Sequence, residues 1–423
     1  MVIPDLVLKQ VVLPDGRATD LSFAGGRLIH VGAAPPRADE VVDCRGQRCI
    51  PAAIDMHVHM RGHGQSWKED WKTGTQSALA GGVTMVVDQP NTIPPISTAD
   101  IFRDRVEEAK RAAYCNFAVN AGVIPGADLA GMWRAGAMAF GEIFAAPSSY
   151  GEAIDMSVLR SALEHIAGWS GLATVHAEDV IDGPDDTLAD HDRMRPAMGE
   201  RRVVNMVQGL APAGCRLHFC HLSTAAAVDA ATSTCEVAPH HLFLDRDQFA
   251  ATDPRGKVNP PLRSAEERAG LWERWDRIDV IASDHAPHTI EEKNTAFSRS
   301  PAGIPGVETM LPLLLAAAEL KRCSLSSVIE KTSQAPARIL QTPPSTFEAG
   351  CLCDCVIYTP VPEPLDPDAL HSKCGWSPYE YFPAIFPELV VMDGRVAYNE
   401  GEFSPPAGSW IPGAGWQDAG KGL

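Results

Sequence analysis

Apolar segments alternate with amphipathic stretches through the middle of the chain, from residue 53 to about 340. Short apolar runs bounded by turns predict strands, and the longer stretches between them predict helices. The eight predicted strands cover residues 54–60, 83–89, 116–123, 137–144, 172–177, 216–222, 235–238 and 280–283. Predicted helices include residues 101–113, residues 158–167 and a segment after Ser264, where Ser264 and Glu267 have capping-box spacing. Eight βα units in one run predict an α/β fold, a (β/α)8 TIM-type barrel.

The two ends of the chain have a different pattern. The first fifty residues alternate short apolar runs with turns, which is typical of a small antiparallel β unit. The same pattern returns near the other end, where Asp393-Gly394 has the composition of a hairpin turn. We therefore expect the ends to fold together as a small β-sandwich domain. The predicted boundaries are 1–52 and 341–423 for the two parts of this sandwich, and 53–340 for the barrel.

Charge and hydropathy exclude some partners. The 423 residues include 36 basic and 54 acidic side chains, a formal net charge of -18, which argues against nucleic acid or an anionic membrane as the main partner. The N-terminal segment does not resemble a signal peptide, and the longest apolar run, 310–318, is too short to span a bilayer. The sequence thus predicts a cytoplasmic protein that acts on a small molecule.

The eleven cysteines are scattered and odd in number, which favours reduced thiols over a disulfide framework. Cys351, Cys353 and Cys355 alternate on a predicted strand, so their sulfur atoms could hold a soft metal. No fourth ligand lies nearby in the sequence, and we predict that they are small buried hydrophobic side chains.

Candidate metal ligands occur at the predicted C-terminal ends of the barrel strands, where such barrels have their active sites. On a strand every second side chain shares a face, so His57, His59 and Arg61 project together. Any one of these polar residues could be a packing histidine or a helix cap. Six metal-competent residues nevertheless fall at one level of the barrel: His57, His59, Glu142, His176, His221 and Asp284. Nitrogen and carboxylate ligands suit Zn²⁺ or a similar divalent ion, and two ions sharing Glu142 fit the number of ligands.

Eight short motifs along the chain carry a resemblance to a known enzyme family. They are Asp-Met-His-Val-His-Met-Arg at 55–61, Pro-Asn-Thr at 90–92, Val-His-Ala-Glu-Asp at 175–179, Cys-His-Leu-Ser-Thr at 220–224, Cys-Glu-Val-Ala-Pro-His-His-Leu at 235–242, Val-Asn-Pro-Pro-Leu-Arg at 258–263, Ala-Ser-Asp-His-Ala-Pro-His-Thr at 282–289 and Gly-Ile-Pro-Gly-Val-Glu-Thr at 303–309. With these motifs, nearly the whole chain resembles the dihydroorotases of the amidohydrolase superfamily.

The resemblance implies roles for individual residues. It assigns the metals to His57, His59, His176, His221 and Asp284. It assigns the substrate to Arg61, Asn91, Asn259 and His288, with the backbone of Ala302 and Gly303 closing over the ring. A guanidinium can bind the unreactive carboxylate of dihydroorotate with two parallel hydrogen bonds. Hydantoinases and allantoinases resemble the family in their histidines, but their substrates lack a carboxylate in that place, so Arg61 is the discriminating residue.

The implied reaction is the reversible interconversion of N-carbamoyl-L-aspartate and L-dihydroorotate plus water, in pyrimidine biosynthesis. In the hydrolytic direction, metal-activated water attacks the ring amide carbonyl, which a metal also polarises. Asp284 takes the proton from the attacking water and delivers it to the leaving nitrogen.

One departure from the family concerns the fourth strand. Many members have a carboxylated lysine there, in a lysine, apolar, aromatic pattern, whereas this chain has Glu142-Ile143-Phe144. We hypothesise that Glu142 bridges two metals directly, with Gly141 permitting a closer approach of the strand. The alternative is a single, tightly held metal.

Two other functions remain open from the sequence. The chain could open a different cyclic amide, such as a hydantoin or allantoin, or it could be a non-catalytic scaffold for aspartate transcarbamoylase, which some relatives bind. A homo-oligomer is expected in either case.

Residues 181–200 are predicted to form a polar loop at the barrel mouth. Five histidines are interpreted as surface or packing residues, namely His63, His165, His191, His218 and His371, and no role is assigned to His240 or His241.

Overall fold

The computed structural model describes residues 3–35, 37–145 and 154–417. The chain begins with five strands, which are β1 (Leu6–Val12), β2 (Ala18–Ala24), β3 (Arg27–Val31), β4 (Glu40–Asp43) and β5 (Arg48–Pro51). β1 pairs antiparallel with β2 and β2 with β3, while β4 and β5 run parallel to β1. The antiparallel unit predicted at the N-terminal end is therefore present, with two parallel strands added to it.

Eight parallel strands follow, and each overlaps a predicted strand. They are β6 (Ala53–Val58), β7 (Val83–Asp88), β8 (Asn116–Val119), β9 (Phe140–Phe144), β10 (Leu172–His176), β11 (Arg216–Phe219), β12 (Thr234–Val237) and β13 (Val280–Ile281). β6 to β8 form one sheet and β9 to β13 another. Isolated parallel bridges link Ala121, after β8, to Phe140 of β9, and Val58 of β6 to His285, after β13. The eight strands are buried almost throughout, which explains the unbroken apolar runs in the sequence, because strands covered on both faces need no polar side.

Helices alternate with these strands and continue after them. They are α1 (Trp71–Ala80), α2 (Ala99–Lys110), α3 (Leu129–Ala135), α4 (Met156–Gly168), α5 (Leu188–Met194), α6 (Ala197–Leu210), α7 (Ala225–Ala230), α8 (Pro239–Phe243), α9 (Ala265–Glu273), α10 (Ile290–Lys293), α11 (Met310–Glu319), α12 (Leu325–Ile329) and α13 (Ala335–Leu340). A π-helical turn, Glu330–Gln334, lies between the last two. The three predicted helices correspond to α2, α4 and α9, and Ser264 caps α9 by accepting from the backbone N–H of Glu267.

Short 3₁₀ turns complete the helical segments: His63–Gln65, Arg246–Gln248, Pro254–Gly256, Trp275–Arg277, Phe297–Arg299 and Pro367–Ala369. Within the three described ranges, every helix is too short or too polar to span a bilayer.

Six strands are described toward the C-terminal end. They are β14 (Cys355–Tyr358), β15 (Glu363–Pro364), β16 (Pro383–Ala384), β17 (Leu389–Met392), β18 (Arg395–Asn399) and β19 (Glu402–Phe403). β15 and β16 pair with each other, whereas the other four join the N-terminal sheet. β14 pairs antiparallel with β5, which gives a nine-stranded sheet ordered β19-β18-β17-β14-β5-β1-β2-β3 with β4 beside β1. Asp393 and Gly394 form the hairpin turn between β17 and β18, and their φ angles of 49° and 69° suit a type I′ turn. The joining of both chain ends is confirmed, whereas the exact domain boundaries stay predictions.

The end sheet has an apolar core of its own, separate from that of the barrel. Leu8, Phe23 and Val391 are fully buried there, together with Cys353 and Cys355. Cys351 is half-buried. The prediction of small buried hydrophobic side chains holds for the two inner cysteines, and among the described residues this cluster is not a candidate metal site.

Candidate active site

The six predicted metal ligands come together at the C-terminal ends of the barrel strands. Strands β6, β9 and β10 carry His57, Glu142 and His176. His59, His221 and Asp284 lie one, two and three residues after the ends of β6, β11 and β13. All six are buried, with at most 7% of their surface exposed. Sequence positions spread over more than half of the chain thus converge on one small volume.

The two carboxylate oxygens of Glu142 face different imidazoles. Oε1 lies 2.6 Å from Nδ1 of His176 and 2.8 Å from Nε2 of His221. Oε2 lies 3.6 Å from Nε2 of His57. Glu142 therefore stands between two groups of ligands, as a bridging carboxylate would.

Asp284 closes the second group. Its Oδ1 atom lies 3.3 Å from Nε2 of His59 and 3.7 Å from Nε2 of His57. Nε2 of His57 is buried without a hydrogen-bond partner in the described structure, although it faces carboxylate oxygens of both Glu142 and Asp284. A buried, unpartnered nitrogen among carboxylates is costly unless a cation completes the site.

The donor set fits a divalent metal. Ligands about 2.1 Å from a tetrahedral zinc ion are about 3.4 Å from one another, close to the 3.3–3.7 Å separations around His57 and Asp284. Two buried groups have metal-like spacing and consist only of predicted ligands, His57 with Glu142 and His221, and His57 with His59 and Asp284. A third group joins His57 to Cys220 and Glu236.

The electrostatics of the site also favour a cation. Burial lowers the pKa of His176, but the flanking carboxylates of Glu142 and Glu178 outweigh it and raise this pKa to about 10. Burial likewise raises the pKa of Asp284, yet the hydrogen bond with His59 and the nearby His221 and His57 hold the pKa below its ordinary value. A site that draws a proton onto a buried imidazole offers the same attraction to a metal ion.

Of the partners that orient these ligands, Glu236 and Glu178 were missed in the sequence, whereas Asn91 was predicted as a substrate residue. Glu236 on β12 has its Oε1 atom 2.6 Å from Nδ1 of His57, and Oδ1 of Asn91 lies 2.7 Å from Nδ1 of His59. Oε2 of Glu178 lies 3.1 Å from Nε2 of His176. Such contacts fix the ring orientation of metal-binding histidines. A charged residue inside the apolar run of β12 was the available signal for Glu236.

A small cavity adjoins the six predicted metal ligands, which together are called the metal-type cluster. Four of the predicted substrate residues line it, namely Asn91, Asn259, Ala302 and Gly303, beside His59, Glu142, Phe144, His176, Val258, Asp284 and Ala286. Gly303 has a φ of 146°, and a Cβ there would lie 2.9 Å from Cδ2 of His288. The glycine is needed because the loop and the His288 ring pack closely together.

The other two predicted substrate residues, Arg61 and His288, are not among the residues that line this cavity. Arg61 is 2% exposed and His288 is 4% exposed. The Nε atom of Arg61 donates to the carbonyl of Pro287, and its Nη2 atom lies 3.4 Å from Nε2 of His288. The guanidinium is therefore held inside the protein.

The remaining histidines are mostly packing residues. His191 and His218 are buried, and Nε2 of His191 lies 2.8 Å from Oδ1 of Asn259. His63, His165 and His371 are partly or largely exposed. His240 and His241 are buried, and burial lowers the pKa of His240 to about 4.

The predicted loop at 181–200 was wrong in part. It contains α5, and α6 begins at Ala197. The Thr187 side chain caps α5 by accepting from the backbone N–H of Asp190. The polar composition hid this short helix, which packs through His191 against Asn259.

Comparison with solved structures identifies the class of protein. The fold is similar to that of the L-hydantoinase (dihydropyrimidinase) from Arthrobacter aurescens, with a TM-score of 0.90 and 26% identity, over 97% of this chain and 100% of that one. A dihydropyrimidinase from Brevibacillus agri NCHU1002 gives a TM-score of 0.87 at 21% identity, over 97% and 99% of the two chains. The α/β TIM-barrel fold and the cluster of imidazoles and carboxylates define a metal-dependent cyclic amide hydrolase.

Curated sequences narrow the class to a family. The chain is 36% identical to the dihydroorotase of Methanosarcina acetivorans, over 94% of this chain and 93% of that protein. It is 38% identical to the dihydroorotase of Halobacterium salinarum, over 93% and 96%. No family model matches the chain. At this identity and coverage, the chain belongs to the dihydroorotase family.

Proposed function

We propose that this chain catalyses the reversible interconversion of N-carbamoyl-L-aspartate and L-dihydroorotate plus water in pyrimidine biosynthesis. The observation that carries the proposal is the buried Arg61, whose Nη2 atom lies 3.4 Å from Nε2 of His288, a ring that packs against Gly303 in the lining of the cavity. A guanidinium can bind a carboxylate with two parallel hydrogen bonds, and dihydroorotate carries one unreactive carboxylate.

The residues of the pocket can bind both the carboxylate and the ring of dihydroorotate. We assign the carboxylate to Arg61 and His288, with Asn91 and Asn259 adding hydrogen bonds. Ala302 and Gly303 line the same cavity and can bind the ring through their backbone groups. These interactions orient the ring amide toward the metal ligands, and such orientation lowers the entropic cost of reaction.

Proton transfer falls to Asp284 in this proposal. Divalent ions, when bound, polarise the ring carbonyl and lower the pKa of the attacking water. Asp284 accepts the proton of that water and passes it to the ring nitrogen as the amide bond breaks. In the reverse direction the same carboxyl group takes the proton from the attacking carbamoyl nitrogen. His59, 3.3 Å away, holds the carboxylate in place.

The same site accounts for two metal ions. We propose two Zn²⁺ ions per chain, bound by His57, His59, His176, His221 and Asp284, with Glu142 in the place of the family's carboxylated lysine. A Cβ on Gly141 would overlap the backbone oxygen of Thr174, so glycine is what allows this strand to lie so close to β10. Metal counting after gentle dialysis tests the proposal, since two ions per chain are expected and one ion would contradict the bridge.

Hydantoin opening is the second candidate, and the likeness to an L-hydantoinase favours it. The decisive experiment compares turnover of L-dihydroorotate, hydantoin and allantoin by the metal-loaded protein. Turnover of dihydroorotate with little opening of the uncharged rings is the expected result. The opposite preference would indicate that the chain acts as a hydantoinase. Metal binding without any turnover would favour a non-catalytic scaffold function.

We also propose that the eight strands close as one barrel, and that the chain forms a cytoplasmic homo-oligomer able to associate with aspartate transcarbamoylase. Light scattering of the purified chain, with and without that enzyme, measures both associations.

A further inference from the structure

Lys68 contacts the edge of His288 that faces away from Arg61. Its Nζ atom lies 3.1 Å from Nδ1 of His288, while Nε2 on the opposite edge lies 3.4 Å from Nη2 of Arg61. All three residues are buried, and Lys68 is 8% exposed. The backbone carbonyl of His288 accepts a hydrogen bond from Nε1 of Trp376, which fixes the residue in place. The ring of His288 is therefore clamped between two cations.

This environment keeps the imidazole neutral. Burial, with further contributions from Arg61 and Lys68 against that of Glu292, lowers the pKa of His288 to about 3. A neutral imidazole carries one proton, on either Nδ1 or Nε2. The choice between the two nitrogens decides whether His288 presents a donor or an acceptor to Arg61.

Lys68 decides that choice because an ammonium group can only donate. Nδ1 must then accept, and the proton resides on Nε2. The competing acceptor is Oε2 of Glu292, 3.5 Å from Nδ1. That carboxylate is already occupied, with Oε1 3.0 Å from Lys68 and Oε2 accepting from the backbone N–H of Thr289. The 3.4 Å separation between His288 and Arg61 is also longer than the 3.1 Å separation between His288 and Lys68.

We propose that Lys68 is a positioning residue that holds His288 in the Nε2–H form, so that His288 and Arg61 present two adjacent donors to the carboxylate of the substrate. The proposal rests on the function proposed above and extends it to substrate selection. A buried Nε2–H group that faces the guanidinium requires an acceptor from the substrate, and a substrate that lacks the carboxylate leaves this donor of His288 unsatisfied.

Without Lys68, the ring can change its tautomer. Nδ1 would carry the proton and donate to Glu292, and Nε2 would accept from Arg61. The guanidinium would then be tied to His288, and the site would lose one donor for the anion. The expected effect falls on substrate affinity, because the metal ligands and Asp284 are not touched.

Nitrogen NMR of the metal-loaded protein labelled with ¹⁵N-histidine tests the tautomer directly. The His288 signals are assigned by their loss in His288→Gln. In the unaltered chain, Nε2 is expected to be protonated and Nδ1 unprotonated. Lys68→Met is expected to move the proton to Nδ1, whereas Lys68→Arg, which keeps a donor, is expected to preserve the original form. An Nδ1–H form in the unaltered chain, or no change in Lys68→Met, would overturn the proposal.

Kinetics separate positioning from a structural role. We expect Lys68→Met to raise KM for L-dihydroorotate about 10- to 100-fold, with kcat changed much less, as for the loss of one buried hydrogen bond. Lys72→Met, at an exposed lysine on the following helix, is the matched control and should leave KM unchanged. Glu292→Gln keeps the donor of Lys68 but removes the ion pair. If it reproduced the effect of Lys68→Met on KM and tautomer, the ion pair and not the donor would be responsible, and the proposal would fail.

The two proposals can fail separately. Absence of dihydroorotate turnover in the unaltered chain would refute the proposed function, while the NMR measurement would still report the tautomer that Lys68 imposes. Thermal unfolding of each variant, with its metal content, shows whether a change in KM comes from misfolding.

Discussion

Glu236 and His57 form a buried pair, with Oε1 of the carboxylate 2.6 Å from Nδ1 of the imidazole. The two residues lie on β12 and β6, at distant positions in the sequence. Because Nδ1 is engaged by Glu236, Nε2 of His57 is directed at Glu142 and Asp284. The orientation of the most central candidate ligand thus depends on a residue that is not itself among the predicted ligands.

Glu236→Gln should weaken metal binding without removing a ligand. The amide can still accept from Nδ1 of His57, but it lacks the charge that increases the basicity of the ring. We expect a loss of about 10- to 100-fold in metal affinity, as is usual for partners of metal-bound histidines. Competition with a chelator, followed by elemental analysis, measures the effect. Glu273→Gln, at an exposed glutamate, serves as the control, and equal metal retention in both variants would contradict this role.

Asp284→Asn should abolish turnover while leaving the fold intact. The amide cannot accept the proton, and loss of a general acid and base lowers rates by about 10²- to 10⁴-fold. Turnover of dihydroorotate is measured together with metal content and thermal unfolding. Activity near that of the unaltered chain would rule out the proton-transfer role, while loss of metal would assign the defect to binding.

Gly141→Ala should destabilise the protein. Gly141 has a φ of 132°, and an added Cβ would overlap the backbone oxygen of Thr174 on β10. Overpacking of this kind costs about 1–3 kcal/mol, before the backbone strain is added. Urea unfolding measures the loss. Gly168→Ala, at the end of α4 with open space around it, is the matched control and is expected to be neutral or slightly stabilising.

His371 should make stability depend on pH. Its Nδ1 atom lies 2.7 Å from Oε1 of Glu308, and this hydrogen bond raises the pKa of His371 although partial burial opposes it. The stabilisation is fully present below the unfolded pKa of about 6.5 and is lost as the pH rises through the folded pKa. The free energy of unfolding should therefore fall over that range. His371→Gln and Glu308→Gln should both remove this part of the pH dependence, and an unaltered profile in either variant would contradict the pairing.

Much of the barrel could be predicted because its strands are buried on both faces and stand out as apolar runs. The predicted strands extended too far at their C-terminal ends, as at residues 120–123 after β8. There the chain leaves the regular strand pairing, and the side chain of Asn120 donates to Gln89. The polar segment that contains α5 was misjudged because a short capped helix leaves little apolar periodicity.

The candidate ligands could be found in the sequence because histidine and aspartate at strand ends are informative by type and position. Lys68 could not be found, and the charge of Glu236 inside the apolar run of β12 was the one signal for that residue, because each matters through a contact made across the fold, with His288 and His57 respectively. Glutamate and lysine are also common on surfaces, so their residue types carry little information about burial.

The pairing of β5 with β14 bears on how the chain is synthesised. During translation β5 emerges early, and its outer edge stays unsatisfied until the ribosome has made the entire barrel and released β14. An open strand edge invites pairing with other nascent chains. The nascent chain is therefore exposed to aggregation through the edge of β5 until β14 is synthesised and pairs with it.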